Sequence, residues 1–173
     1  MTQTLSAPTV DPARVETFAQ RVLTDFAGAA GTALTIIGDR LGLYEAMANA
    51  GPLTAGELAD RARVNPRLVT EWLAAQTVSR YVTYQPETQT YELPIEHAMA
   101  LAMVDSPAYL VGAAEVVAGQ YATLERLQLA FSGDGGVDYQ EFPATTSHGI
   151  ERFFFRTAYT HQLAEVWFPR SRV

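Results

Sequence analysis

Cysteine is absent from this sequence and so is lysine, since all 12 basic residues are arginine. Without cysteine there is no disulfide, no thiol nucleophile and no thiolate metal ligand, a usage that fits a reducing compartment. Without lysine there is neither a P-loop ammonium nor a Schiff base. Long hydrophobic runs are also missing. The longest nearly apolar stretch, residues 27–38, is interrupted by Gly and Thr and falls short of the ~20 residues that a membrane span needs. The first ten residues are polar and lack both a basic and an apolar leader region. The expectation is a cytoplasmic chain that is neither inserted in nor anchored to a membrane, with a disordered tail over residues 1–10. Histidine is scarce as well: His97, His148 and His161 stand far apart, with no two at metal-ligand spacing. No serine sits in a nucleophile elbow.

What is present is enough apolar material for a core. The 173 residues are 48% hydrophobic, and 19 acids against 12 bases leave a net charge of −7. Asp11-Pro12 is a helix start, followed by Val15, Phe18, Val22 and Phe26 at helical spacing. The spacing predicts a weak point at Gly28 and Gly31, then a second helix carrying Leu34, Ile37 and Leu41 to about Asn49. Gly38 and Gly42, four apart in that helix, indicate either a close helix contact or local irregularity. Thr54 with Glu57 forms a capping box, and Asn65-Pro66 opens the next helix, with Leu68, Val69, Trp72 and Leu73 facing inward. Two runs rich in β-branched and aromatic residues, 81–84 and 90–93, flank a turn and read as a hairpin. Ser106-Pro107 is read as the start of one long helix, with a seam of Leu110, Ala113, Val117, Leu124, Leu127 and Phe131. A final helix is expected from about Gly149 to Trp167. The fold class that follows is mainly α, a winged helix-turn-helix with a small β-hairpin and long flanking helices.

A winged helix invites a DNA-binding reading, with the helix from Pro66 as the reading helix. Its outward residues are Arg67, Thr70, Glu71 and Ala74, and between Leu53 and Leu93 four arginines meet five acids. A module of that charge has little with which to neutralise phosphates, so nucleic acid is not an expected partner and packing or dimerisation is the favoured use. Phe153, Phe154 and Phe155 are successive on a helix, where residues are 100° apart, so their rings cannot share one face. They call for a second covering partner: another domain, a second subunit or a ligand.

Four stretches carry a resemblance: Gly38-Asp39-Arg40-Leu41-Gly42-Leu43-Tyr44, Leu53-Thr54-Ala55-Gly56-Glu57-Leu58-Ala59, Glu71-Trp72-Leu73 and Tyr91-Glu92-Leu93-Pro94-Ile95-Glu96-His97-Ala98. Together they resemble the N-terminal winged-helix dimerisation domain of a family of bacterial class I S-adenosylmethionine-dependent methyltransferases. The resemblance implies a winged-helix dimerisation domain at 11–103, a helical linker and substrate-lid region at 104–168, and a tail at 169–173. In the family the cofactor sits on an acidic, glycine-rich turn after the first strand of a Rossmann-like sheet. No such turn occurs here, so no catalytic, cofactor-binding or metal residue is carried over, and S-adenosylmethionine is expected only where a catalytic domain is present. The apolar stripes lead us to expect a homodimer with Phe18, Val22, Gly38, Gly42 and Leu124 at its interface. Tyr109, Phe153, Phe154 and Tyr159 are the candidate substrate-side or interface residues, with a small aromatic or apolar molecule as ligand. The alternative is a stand-alone winged-helix regulator that binds a small effector.

Overall fold

The computed structural model describes residues 9–133 and 135–159, with side chains through Phe155. The chain divides into two compact units, residues 1–30 and 31–173.

The first unit holds the beginning of α1 (Pro12–Arg40). Asp11 Oδ1 accepts from the Ala13 N–H at 3.0 Å, which caps the start beside Pro12. Val15, Phe18, Leu23 and Phe26 are all more than half exposed, and Val22 is half-buried.

The second unit begins with the end of α1 and continues through α2 (Leu43–Met47), α3 (Ala55–Ala62) and α4 (Pro66–Val78). The expected helix break at Gly28 and Gly31 does not occur. Each glycine weakens a helix by only about 1 kcal/mol relative to Ala and neither forces a turn. The break falls instead at Gly42, whose φ of +68° suits a residue without a Cβ. The two glycines expected at a helix contact therefore have different roles. An added Cβ at Gly42 meets nothing within 4 Å, whereas one at Gly38 would lie 2.5 Å from Trp72 Cζ2 and 2.7 Å from Tyr44 Cε2. Gly38 is the point where the Trp72 and Tyr44 rings, edge-to-face at 5.1 Å, lie against α1. The same rings are anchored by polar ends. Trp72 Nε1 donates to the Leu34 carbonyl at 2.9 Å and the Tyr44 hydroxyl donates to Gln76 Oε1 at 2.7 Å.

The capping box at Thr54 and Glu57 forms as expected. Strands β1 (Thr83–Gln85) and β2 (Thr90–Glu92) pair antiparallel with Tyr84 opposite Tyr91. Leu53 pairs with Tyr91 at the edge, its N–H 2.8 Å from the Tyr91 carbonyl. This hairpin is the wing, and α5 (Ile95–Leu101) follows it. Tyr44, Met47, Leu58, Leu73, Ala98 and Tyr109 form the fully enclosed part of the core.

Beyond the wing the helices differ from the sequence reading in three ways. The single helix from Ser106 to Phe131 is two, α6 (Val111–Ala122) and α7 (Leu124–Ser132), separated at Thr123, whose hydroxyl donates to the Gly119 carbonyl at 2.8 Å. Ser106 and Pro107 lie in the preceding loop, where Ser106 Oγ accepts from the Ala108 N–H at 3.1 Å. The contact face of α6 is also not the apolar seam. Leu110, Leu124 and Phe131 are 52%, 56% and 93% exposed, while Gly112, Glu115 and Gly119 are buried against α8 (Ala144–Ile150). Bare backbone brings the two helices together there: a Cβ on Gly149 would lie 2.6 Å from the Gly112 carbonyl oxygen. Finally, α8 starts five residues ahead of the expected Gly149 and passes into a wider, π-wound segment over Glu151–Tyr159. Residues from 160 onward, including His161, Leu163 and Trp167, lie outside the described residues.

Candidate functional site

Helix α4 has the local design of a reading helix. The Asn65 side chain accepts from the Arg67 N–H at 3.0 Å, Pro66 opens the first turn, and Val69, Trp72, Leu73 and Gln76 are buried. Arg67, Thr70, Glu71 and Ala74 are exposed, as the sequence indicates. Leu68 was expected inward but is 54% exposed. It helps wall an apolar groove of about 470 Å³ with Ile37, Leu41 and Trp72. The only cation among the four outward residues, Arg67, stands 4.0 Å from Glu71 on the next turn. An exposed pair of that kind contributes little stability, yet it places a carboxylate where a phosphate would have to sit.

The most concentrated chemistry in the second unit is a charged cluster that sequence reasoning missed. The Arg152 guanidinium forks onto Asp39, with Nη1 2.7 Å from Oδ2 and Nη2 2.9 Å from Oδ1. It also reaches Glu115 Oε2 at 3.3 Å and hydrogen-bonds the Tyr109 hydroxyl, which itself donates to Asp39 Oδ1 at 3.0 Å. Glu115, with a side chain only 2% exposed, further receives Arg40 at 3.4 Å and His148 Nδ1 at 3.0 Å. The Arg152 cation lies over the Tyr109 ring, 5.2 Å from its centroid. Burial opposes ionisation of Asp39, but the hydrogen bonds and charge of Arg152, with help from Tyr109 and Arg40, more than offset it and hold the carboxyl below its usual range. Burial and the Asp39 charge push the Tyr109 hydroxyl upward, so it stays a neutral donor. The bond to Asp39 raises Arg152 further. Because these groups satisfy one another, the cluster acts as a clamp joining α1, the loop before α6, α6 and the π-wound segment. Among the described residues no three His, Asp or Glu side chains converge as metal ligands would.

One signal in the sequence pointed to this cluster. Glu115 is the lone charge in Ala113-Ala114-Glu115-Val116-Val117, and a carboxylate in such a run needs a buried partner. The partner itself, 37 residues away, left no local trace.

The candidate residues fall in different places. Tyr109 is enclosed within the clamp. Phe153 is half-buried and packs edge-to-face on Phe154 at 4.7 Å, while Phe154 and Phe155 are 44% and 58% exposed. The Tyr159 side chain lies outside the described residues. Gly38 is buried beneath Trp72 and Tyr44 of its own chain. Phe18 and Leu124 are exposed, at 67% and 56%. His97 lies on α5, with Nδ1 2.9 Å from the Tyr81 carbonyl oxygen. It also borders a cavity of about 530 Å³ between the base of the wing, the end of α1 and α6.

This architecture is found among solved proteins. PigF, solved with SAH, superposes with a TM-score of 0.57 at 17% identity, over 78% of this chain and 43% of that one. The mitomycin 7-O-methyltransferase MmcR gives 0.61 at 16%, over 87% and 47%. The S-adenosylmethionine-dependent methyltransferase SibL, in its apo form, gives 0.56 at 19%, over 87% and 48%. This chain thus spans a little under half the length of each, and at such identities the likeness is one of fold. No curated protein matches the chain. A family model, that of the Rv2258c-like winged HTH domain, matches residues 29–103, the segment that forms the winged helix.

Proposed function

We propose that this chain is the non-catalytic dimerisation and substrate-lid portion of an S-adenosylmethionine-dependent methyltransferase acting in the cytoplasm. The observation that carries this reading is the reach of the fold likeness. It extends beyond the winged helix to 78–87% of the chain, and so takes in helices that a winged helix alone does not need. The exposed Phe154 and Phe155 supply apolar surface for a covering domain, second subunit or substrate. Phe18, Val22 and Leu124 supply helical surface for a homodimer.

The described residues do not fit the cofactor itself. Their one sheet is a two-stranded antiparallel hairpin, with no parallel strand leading through a glycine-rich turn into a helix. No chemical step is therefore assigned to this chain. A DNA-binding regulator would need cations on α4 and the wing, and the pairing of Arg67 with Glu71 argues against it. Among the described residues no helix is long and apolar enough to cross a membrane.

Light scattering with a calorimetric titration tests the proposal. The expected result is a particle of about twice the 18.9 kDa chain mass that gives no saturable heat with S-adenosylmethionine. A well-folded monomer overturns the dimerisation role. Saturable micromolar cofactor binding overturns the non-catalytic assignment, and a gel shift persisting at ~150 mM salt with excess competitor DNA favours the regulator instead.

A further inference from the structure

We infer that the cavity between the base of the wing and α6 is a binding site for a small hydroxylated aromatic carboxylate. Its volume of about 530 Å³ lies inside the roughly 300–1,000 Å³ of small-molecule sites. The space exists because the facing helices present Ala100, Ala113 and Ala114, while Leu101, Leu110 and Val117 complete an apolar wall. A flat ring fits such a wall at little cost in conformational freedom.

The rim specifies the polar groups. Arg80 follows α4 with φ +61°, a left-handed conformation that disfavours any residue with a Cβ. Here it closes the helix, with the Tyr81 N–H donating to the Gln76 carbonyl at 2.9 Å, and so fixes the backbone from which the Arg80 side chain leaves. Arg80 lines the cavity together with Glu96, yet the two form no ion pair, and among the described residues the Arg80 guanidinium has no hydrogen-bond or carboxylate partner. It is available to an anion. His97 supplies the second group. Its Nδ1 lies 2.9 Å from the Tyr81 carbonyl oxygen, and only a protonated nitrogen can pair with a carbonyl, so the neutral ring presents Nε2 as an acceptor. A ligand hydroxyl satisfies that acceptor, or the Glu96 carboxylate beside it. The rim thus offers a single cation, Arg80, which pairs one carboxylate and is too little to hold a polyphosphate. The residues are distinct from Phe153 and Phe154, so the inference stands whether or not the chain belongs to a methyltransferase.

The test is a calorimetric titration of the full chain with a hydroxynaphthoate bearing its two polar groups on different rings, alongside neutral naphthol. Saturable one-to-one binding of the carboxylate is expected. Arg80→Gln, on the exposed rim, should weaken the carboxylate by about tenfold and naphthol by less than threefold. Ala113→Phe, which fills the cavity, should abolish both, with Val117→Phe as the second filling variant if the first fails to fold by circular dichroism. Leu68→Glu, in the separate apolar groove along α4, should leave both unchanged. No saturable binding by folded protein overturns the inference, including the case in which a second copy closes the cavity. So does binding that ignores Arg80→Gln and the filling variants, or binding lost with Leu68→Glu.

Discussion

Replacing Gly38 with Ala pits two effects of known size against each other. In a helix interior Ala is favoured over Gly by about 1 kcal/mol, so propensity alone stabilises the variant. The new methyl, however, would stand 2.5 Å from Trp72 Cζ2 and 2.7 Å from Tyr44 Cε2. Neither ring yields easily, because Trp72 is hydrogen-bonded to the Leu34 carbonyl at 2.9 Å and Tyr44 to Gln76 at 2.7 Å. Overpacking of a tight core costs roughly 1–3 kcal/mol, and two clashes with anchored rings place this site at the upper end. The net loss is then about 2 kcal/mol, a fall in Tm of roughly 4–8 °C for a chain of this size. Gly31→Ala is the matched control on the same helix. Its added Cβ meets nothing within 4 Å, so only propensity acts and Tm should rise by up to roughly 4 °C. Thermal unfolding followed by circular dichroism measures both. A Gly38→Ala protein as stable as the unmodified chain would refute the close-contact account of this glycine.

The clamp is expected to be costly to break. Arg152→Met leaves Asp39 without its fork and Glu115 with only Arg40 and His148, which should destabilise by roughly 2–4 kcal/mol in urea titrations. An effect under about 0.5 kcal/mol would reduce the cluster to decoration. Because the folded Asp39 carboxyl is held below its unfolded value, its contribution is fully present above about pH 4 and is lost as pH falls through the folded value. Asp39→Asn should therefore flatten the acid limb of the stability profile, and an unchanged limb contradicts the assignment. Phe18→Glu and Leu124→Glu should each shift the chain toward monomer in light scattering, since both side chains are more than half exposed within a single chain.

Local chemistry was legible in the residues themselves. The cap at Asp11 and Pro12, the Thr54–Glu57 box, the Asn65–Pro66 start and the hairpin each depend on groups within a few positions of one another, so the amino-acid order alone determines them. The cation-poor outward face of α4 was equally readable, because exposure of Arg67, Thr70, Glu71 and Ala74 follows from helical periodicity around Val69, Trp72 and Leu73. What faces what was decided only by tertiary structure. The seam from Leu110 to Phe131 looked like the contact face of its helix, yet glycine and the buried Glu115 form that face, because bare backbone allowed α6 and α8 to approach closely. Gly38 and Gly42 looked like a pair, but one makes room for two rings and the other turns the chain. Asp39 and Arg152 are 113 positions apart, and the alanines that wall the cavity are indistinguishable in the sequence from alanines that fill a core. Hydrogen bonds between neighbours leave a pattern in the sequence, whereas partners joined only by folding do not.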